Sequence, residues 1–133
     1  MGYRSEVSIT IKNEDFMGML PMAKAFGQEL FDEVRDLLSF AQSIRQTDEY
    51  TIIHFDWVKW YEDYPDVQFV EWFIGEIPHH FIRVGEDYND TEIRSDVGDN
   101  HDMYSYASIT REISIDETGV KLDLEGVLAC LSL

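Results

Sequence analysis

The run "YTIIHFDWVKWY", Tyr50 to Tyr61, constrains the fold more than any other part of the chain. Read as a strand, it puts Thr51, Ile53, Phe55 and Trp57 on one face and Tyr50, Ile52, Val58 and Trp60 on the other. A strand that is apolar on both faces belongs in the middle of a sheet, covered on both sides or carrying an exposed aromatic patch. The rest of the chain must supply its neighbours and its cover.

One neighbour is plain. In "YRSEVSITIK", Tyr3 to Lys12, Val7, Ile9 and Ile11 alternate with Glu6, Ser8 and Thr10, the pattern of a half-buried strand. Asn13 then offers a helix N-cap, and Glu14 and Asp15 suit the positive end of the helix dipole. The pattern stays helical to about Arg45, with Leu30, Val34, Leu37, Leu38, Ala41 and Ile44 in one apolar stripe. Pro21 and Gly27 are expected to kink or split this segment. A second helix is expected to begin near Pro65, with Val67, Val70, Phe73 and Ile74 at helical spacing.

"HFIRVG" reads as a short strand ended by Gly85, and "MYSYASITREISID" as a longer one. "ETG" is expected to turn that strand as a hairpin into "VKLDLEG". The sheet should therefore include Tyr3–Lys12, Tyr50–Tyr61, His80–Val84 and Met103–Ile115, with the Glu29–Arg45 helix across it. This is a single α+β domain spanning residues 1–133, with a mixed or mostly antiparallel sheet and helices largely on one face. The apolar tail "GVLACLSL" serves either that core or a contact in a homodimer.

Charge narrows the function. Asp and Glu number 27 against 10 Lys and Arg, a net charge of −17. Such a field repels nucleic acid and anionic membrane, whose binding needs Lys and Arg to neutralise phosphates. It favours basic protein surfaces or cations; solubility, or adaptation to salt, is the plainer use. The aromatic content excludes a disordered acidic tail. Cys130 has no second cysteine for an internal disulfide, and neither a leader-like start nor a long apolar run is present, so a cytoplasmic location is expected.

The charge concentrates in "FIRVGEDYNDTEIRSDVGDNHDMY", Phe81 to Tyr104. Glu86, Asp87, Asp90, Glu92, Asp96, Asp99 and Asp102 are expected to form one exposed acidic face, with only Arg94 inside that span to offset them. A calcium loop does not fit. Asp87, Asn89 and Thr91 alternate like the first EF-hand ligands, but the places that need Gly and a bidentate Glu hold Glu92 and Gly98. A transition-metal set is not apparent either: His79 and His80 are adjacent and point apart on a strand, and His54, His101 and Cys130 are isolated in sequence. No nucleophile elbow or phosphate loop occurs. No metal, no cofactor and no catalysis are expected.

The opening "GYRSEV", the stretch "WVKWYEDYPDV" and the later "FIRVGEDYNDTE" together resemble a family of small, mostly uncharacterised bacteriophage proteins. Its members typically begin Gly-Tyr-Arg-Ser-Asp/Glu-Val, with a Trp-Tyr/Tyr-Pro stretch midway and an Ile-Arg-Ile/Val-Gly-Glu-Asp turn later. The similarity runs over most of residues 2–92. It implies a phage product at work in the host cytoplasm, and it brings no catalytic residues.

Two candidate sites follow from the residues. Arg4 and Arg83 are placed to meet Glu86 or Asp87 across strands as an ion-pair cluster, or, with Trp57, to line a pocket for a phosphate-bearing ligand such as a nucleotide. Trp57, Trp60, Tyr61, Tyr64 and Trp72 are either core or, with Glu62 and Asp63 interleaved, a protein-binding hot spot. The leading expectation is a non-enzymatic inhibitor or adaptor that binds a basic host protein through the acidic face, Trp60 and Tyr61. In its sharpest form it mimics nucleic acid against a nucleic-acid-binding defence protein. The alternative is a small-molecule binder or small enzyme built on the arginine and aromatic pocket.

Overall fold

The computed structural model describes residues 2–87, 89–109 and 113–132. Its centre is a six-stranded sheet in the order β5-β4-β1-β3-β2-β8, with every described pairing antiparallel. The strands are β1 (Ser5–Lys12), β2 (Ser43–Gln46), β3 (Tyr50–Val58), β4 (His79–Gly85), β5 (Thr91–Asp96) and β8 (Val120–Lys121). A separate antiparallel pair joins β6 (Ala107–Ile109) to β7 (Ile113–Ile115). The helices are α1 (Asn13–Phe26), α2 (Gln28–Ser39), α3 (Pro65–Gly75) and α4 (Leu124–Cys130).

All four helices contribute to one core on one face of the sheet. Val7, Ile9 and Ile11 of β1, Ile53 and Phe55 of β3 and Phe81 of β4 meet Phe16, Met19, Val34, Leu38, Val70, Phe73 and Leu128 there. The α+β architecture with helices on one face is therefore as the sequence predicts. β3 is central, between β1 and β2.

The opposite face is not left to solvent. Ser8 and Thr10 of β1, expected on a wet face, are fully buried. Two small clusters cover that side: Tyr50 with Val97 and Met103, and Ile82 with Ala107 and Ile113. β1 is thus a central strand buried on both faces, and its polar positions are short side chains that fit beneath a second layer.

Several expectations are corrected. The helix does not reach Arg45. It stops at Ser39, and Ser43–Gln46 forms β2, pairing Ile44 with Ile53. Leu37, Ala41 and Ile44 fall at helical spacing by coincidence, because a β-branched residue on the core side of a strand satisfies the same count. The break between α1 and α2 is at Gly27, whose φ of 154° is rarely adopted by residues with a side chain, while Pro21 stays inside α1. Asn13 does not cap. Its amide donates to the Thr47 carbonyl at 3.0 Å and its Oδ1 accepts from the Thr51 hydroxyl at 2.8 Å, tying α1 to the β2–β3 turn.

Met103–Ile115 is not one strand. Met103 lies in a 3-10 turn, His101–Ser105, and the strands that follow form the separate pair; residues 110–112 of the expected strand lie outside the described residues. Nor is Val120–Lys121 a hairpin partner of the preceding strand, since it pairs with β2. Val127 and Leu128 of the apolar tail are buried in the main core, while Cys130 is exposed.

β3 also ends earlier than expected, at Val58. A register irregularity separates the Val7–Phe55 pair from Ser5–Val58. Alternation breaks there, so Val58 and Trp60 join the helix-side core with Phe55, and Trp57 is 57% exposed.

Candidate functional site: an arginine knot, an acidic aromatic cavity and a carboxylate–histidine cluster

β4 and β5 are joined at Arg83. The pairing sets Arg83 opposite Glu92, and the Arg83 Nε–H donates to Glu92 Oε1 at 2.7 Å. Its two terminal nitrogens grip Asp90 at 2.7 and 3.1 Å, and one of them also donates to Ser5 Oγ at 3.1 Å. This planar fork on a carboxylate is the geometry guanidinium favours. Arg83, then the Tyr3 hydroxyl, hold the Asp90 carboxyl below its ordinary value. Tyr3 donates to Asp90 at 2.5 Å and accepts the Asp87 backbone N–H at 3.1 Å.

Only glycine fits beside this knot. A Cβ on Gly85 would lie 2.2 Å from both the Tyr3 hydroxyl and an Asp90 oxygen. The ion-pair cluster expected around Arg83 therefore exists with different partners: Asp90 and Glu92 in place of Glu86 and Asp87. The turn after β4 carries Glu86 and Asp87 past the arginine and returns Asp90 to it. Glu86 instead accepts the Arg4 backbone N–H at 2.7 Å.

The seven carboxylates of the acidic passage do not make one face. Asp90 and Glu92 are both ion-paired to Arg83, and Arg94 adds a bond to Glu92 at 3.0 Å, pairs with Glu71 and lies over the Phe81 ring at 4.4 Å. β5 then carries the chain to the opposite end of the sheet, where Asp96 stands across from His79. Asp99 is exposed there, and Asp102 accepts the Tyr50 hydroxyl at 2.5 Å. Burial, then the Asp102 bond, push the Tyr50 phenol above its ordinary value. Glu86 and Asp87 remain exposed at the first end, and Asp96, Asp99 and Asp102 at the second.

At the first end lies a cavity of about 660 Å³. Trp60, Tyr61, Glu62, Asp63 and Glu71 line it together with Arg83, Glu92 and Arg94. Trp60 is both core and cavity wall: it packs against Phe55 and Phe81 with ring centres 5.7 and 6.0 Å away. Its buried indole N–H has no acceptor among the described residues. Tyr61 packs against Tyr64 at 4.9 Å. Four carboxylates face two guanidinium groups, and both guanidinium groups are already paired. A phosphate entering here would meet excess negative charge, whereas a cation would meet carboxylates and aromatic surface.

Arg4 and Trp57 do not share this space. They line a second cavity of about 360 Å³ with Phe40, Lys59 and Tyr64. The structure thus separates Arg83 from the other members of the expected arginine and aromatic pocket. Trp72, 46% exposed, packs edge-on to Phe26 at 5.6 Å, away from both cavities' walls.

A third arrangement was not visible in the sequence. His54 and Asp56 sit two residues apart on β3, and Glu6 reaches them from β1. His54 Nε2 lies 2.7 Å from Glu6 Oε2, and Glu6 Oε1 accepts the Ile113 backbone N–H at 3.0 Å. One donor atom from each of the three lies within 4.8 Å of the others. His54 is therefore not isolated from other ligand-type side chains, as its sequence position implies. The only local signal is His-x-Asp on a strand; the carboxylate from β1 comes from pairing.

No family model, curated protein or solved structure matches the chain. Among the described residues, no helix is long and apolar enough to cross a membrane.

Proposed function

We propose that the chain is a non-catalytic binding module that takes up a basic segment of a partner protein at the Trp60–Tyr61 cavity. The observation that carries this is the cavity's composition: aromatic walls and an excess of carboxylates, with both of its arginines already committed to Asp90, Glu92 and Glu71. An arginine or lysine side chain entering it gains ring contact and charge pairing together. Exposed Glu62, Asp63, Glu86 and Asp87 around the same end steer such a partner and raise its association rate.

On the resemblance to phage proteins, the partner is a host cytoplasmic protein, and an inhibitor of a nucleic-acid-binding defence protein is the sharpest form of the proposal. Full mimicry of a phosphate backbone requires more than the cavity. It requires Asp96, Asp99 and Asp102, at the opposite end of the sheet, to contact the partner as well.

An arginine-rich peptide titrated against the chain, followed by tryptophan fluorescence across a salt series, tests the proposal. Tyr61→Ala should weaken binding about tenfold with little change in salt slope, as expected for a lost contact. Glu62→Gln with Asp63→Asn should lower affinity and flatten the slope. Asp96→Asn with Asp99→Asn should act only if the partner spans both ends. Equal affinities for wild type and the first two variants would refute the cavity as the binding site.

One observation supports the nucleotide-like alternative. Arg4, Lys59 and the exposed Trp57 line the smaller cavity, where a base can stack on the indole and a phosphate can reach two cations, with Asp36 and Asp66 on the same wall to oppose it. Quenching of Trp57 by a mononucleotide, lost in Trp57→Phe, would favour it.

A further inference from the structure

We propose that Glu6, His54 and Asp56 form a binding site for one divalent transition cation of the zinc class. The three donors come from paired strands and not from loops. His54 and Asp56, two apart on β3, project to the same side, and Glu6 lies on β1 one step beyond the Val7–Phe55 pair. Pairing with Ser8 holds His54, and Glu6 and Asp56 meet beside it at the register irregularity of the same two strands. The bonds from Glu6 to His54 and to the Ile113 N–H hold its carboxylate before any ligand arrives, which lowers the ordering cost of binding.

The distances suit such an ion. Zinc bonds of about 2.0–2.2 Å place neighbouring tetrahedral ligands roughly 3.3–3.6 Å apart. The donor atoms here all lie within 4.8 Å of one another, so only small side-chain rotations separate them from that geometry. The closest pair, His54 Nε2 and Glu6 Oε2, lies 2.7 Å apart and must open by roughly less than an ångström for a metal to stand between them.

The surroundings orient the donors. The Ile113 N–H holds Glu6 Oε1 and leaves Oε2 directed at His54, as partners outside a metal's ligand shell commonly do. The Gln42 N–H donates to the His54 carbonyl at 2.7 Å and fixes the backbone of the imidazole. Two carboxylates and one imidazole make a mixed nitrogen–oxygen set. Such a set favours a borderline cation over magnesium or calcium, which prefer oxygen alone.

His54 and Asp56 open onto a cavity of about 360 Å³ beside β7. It leaves room for a fourth ligand. Arg45, Lys121 and Glu117 also stand on its wall. The donors differ from those of the Trp60–Tyr61 cavity, so this site stands or falls independently of the proposed partner.

Calorimetric titration of the chelator-treated 133-residue chain with Zn²⁺ should show one tight equivalent, distinct from weaker binding to surface carboxylates. Glu6→Gln and Asp56→Asn should each weaken that equivalent by about tenfold or more. Asp56 is exposed, so its variant tests the site even where Glu6→Gln impairs folding. Co²⁺ as a spectroscopic probe should give visible absorption of a low-coordinate ion in wild type and in His101→Gln, and lose it in His54→Gln. Absence of the tight equivalent in wild type, its survival in Asp56→Asn, or a cobalt spectrum retained in His54→Gln would overturn the site.

Discussion

The two faces of the central sheet use the same strands differently. The helix-covered face holds one continuous apolar cluster, running from β1, β3 and β4 into all four helices. The opposite face holds two small clusters, with Ser8, Thr10, His80 and the Glu6–His54 pair on the same side. Continuous packing supplies stability, whereas a broken apolar layer admits polar groups that can titrate or bind. The contrast implies that stability depends chiefly on one face and acid sensitivity on the other.

The largest test truncates one isoleucine on each face. Ile53→Ala, in the main cluster, should cost about 4 kcal/mol, and Ile82→Ala, in the small one, about 2 kcal/mol, because a thin layer relaxes further around the gap. Urea unfolding measures both. Equal losses would break the contrast.

The next test is pH. Burial, only partly offset by the Ala107 backbone, draws the His80 imidazole below its ordinary 6.5. Its ring nitrogen lies 2.6 Å from Ser95 Oγ, and Tyr104 packs edge-on at 5.0 Å. Nearby His79 lowers it further. The unfolded chain therefore binds this proton more readily. Stability held above pH 6.5 should fall as pH drops below that value toward the folded-state value. Urea midpoints at several pH values should show this fall in wild type and a flatter profile in His80→Gln. The Arg83–Asp90 pair responds in a lower window: Asp90 is held below 3.8, so its contribution is lost only as pH falls through its folded-state value.

The smallest effect sharpens the contrast. Ser8 Oγ is buried without a partner among the described residues, so Ser8→Ala should leave stability within about 0.5 kcal/mol or raise it. A loss of 2 kcal/mol, measured by thermal unfolding, would show that this hydroxyl is satisfied in solution.

The strands legible in the sequence were those with a core face. Alternation located β1, β3 and β4, and Pro65 marked the start of α3. β5 was hidden because it is an edge strand with Ile93 exposed, so it has no apolar alternation to read. β2 was hidden because Ile44 fits a helical count. At the candidate sites, Arg83, Glu92, Trp60 and Tyr61 were legible as residue types. Their neighbours were not, since a turn after Gly85 decided which carboxylates Arg83 would meet. The Glu6–His54 contact spans 48 positions and depends on strand register, which no local pattern encodes.

β5 also governs what the molecule avoids. Its free edge carries Glu92, Arg94 and Asp96, and the other edge of the sheet is only the two residues Val120 and Lys121. A second copy adding itself through β5 would lay one charged row against another, and at the far edge it would find almost no backbone to pair with. Edge-to-edge joining of sheets is thus disfavoured at both ends of the strand order, and a homodimer would be better served by another surface.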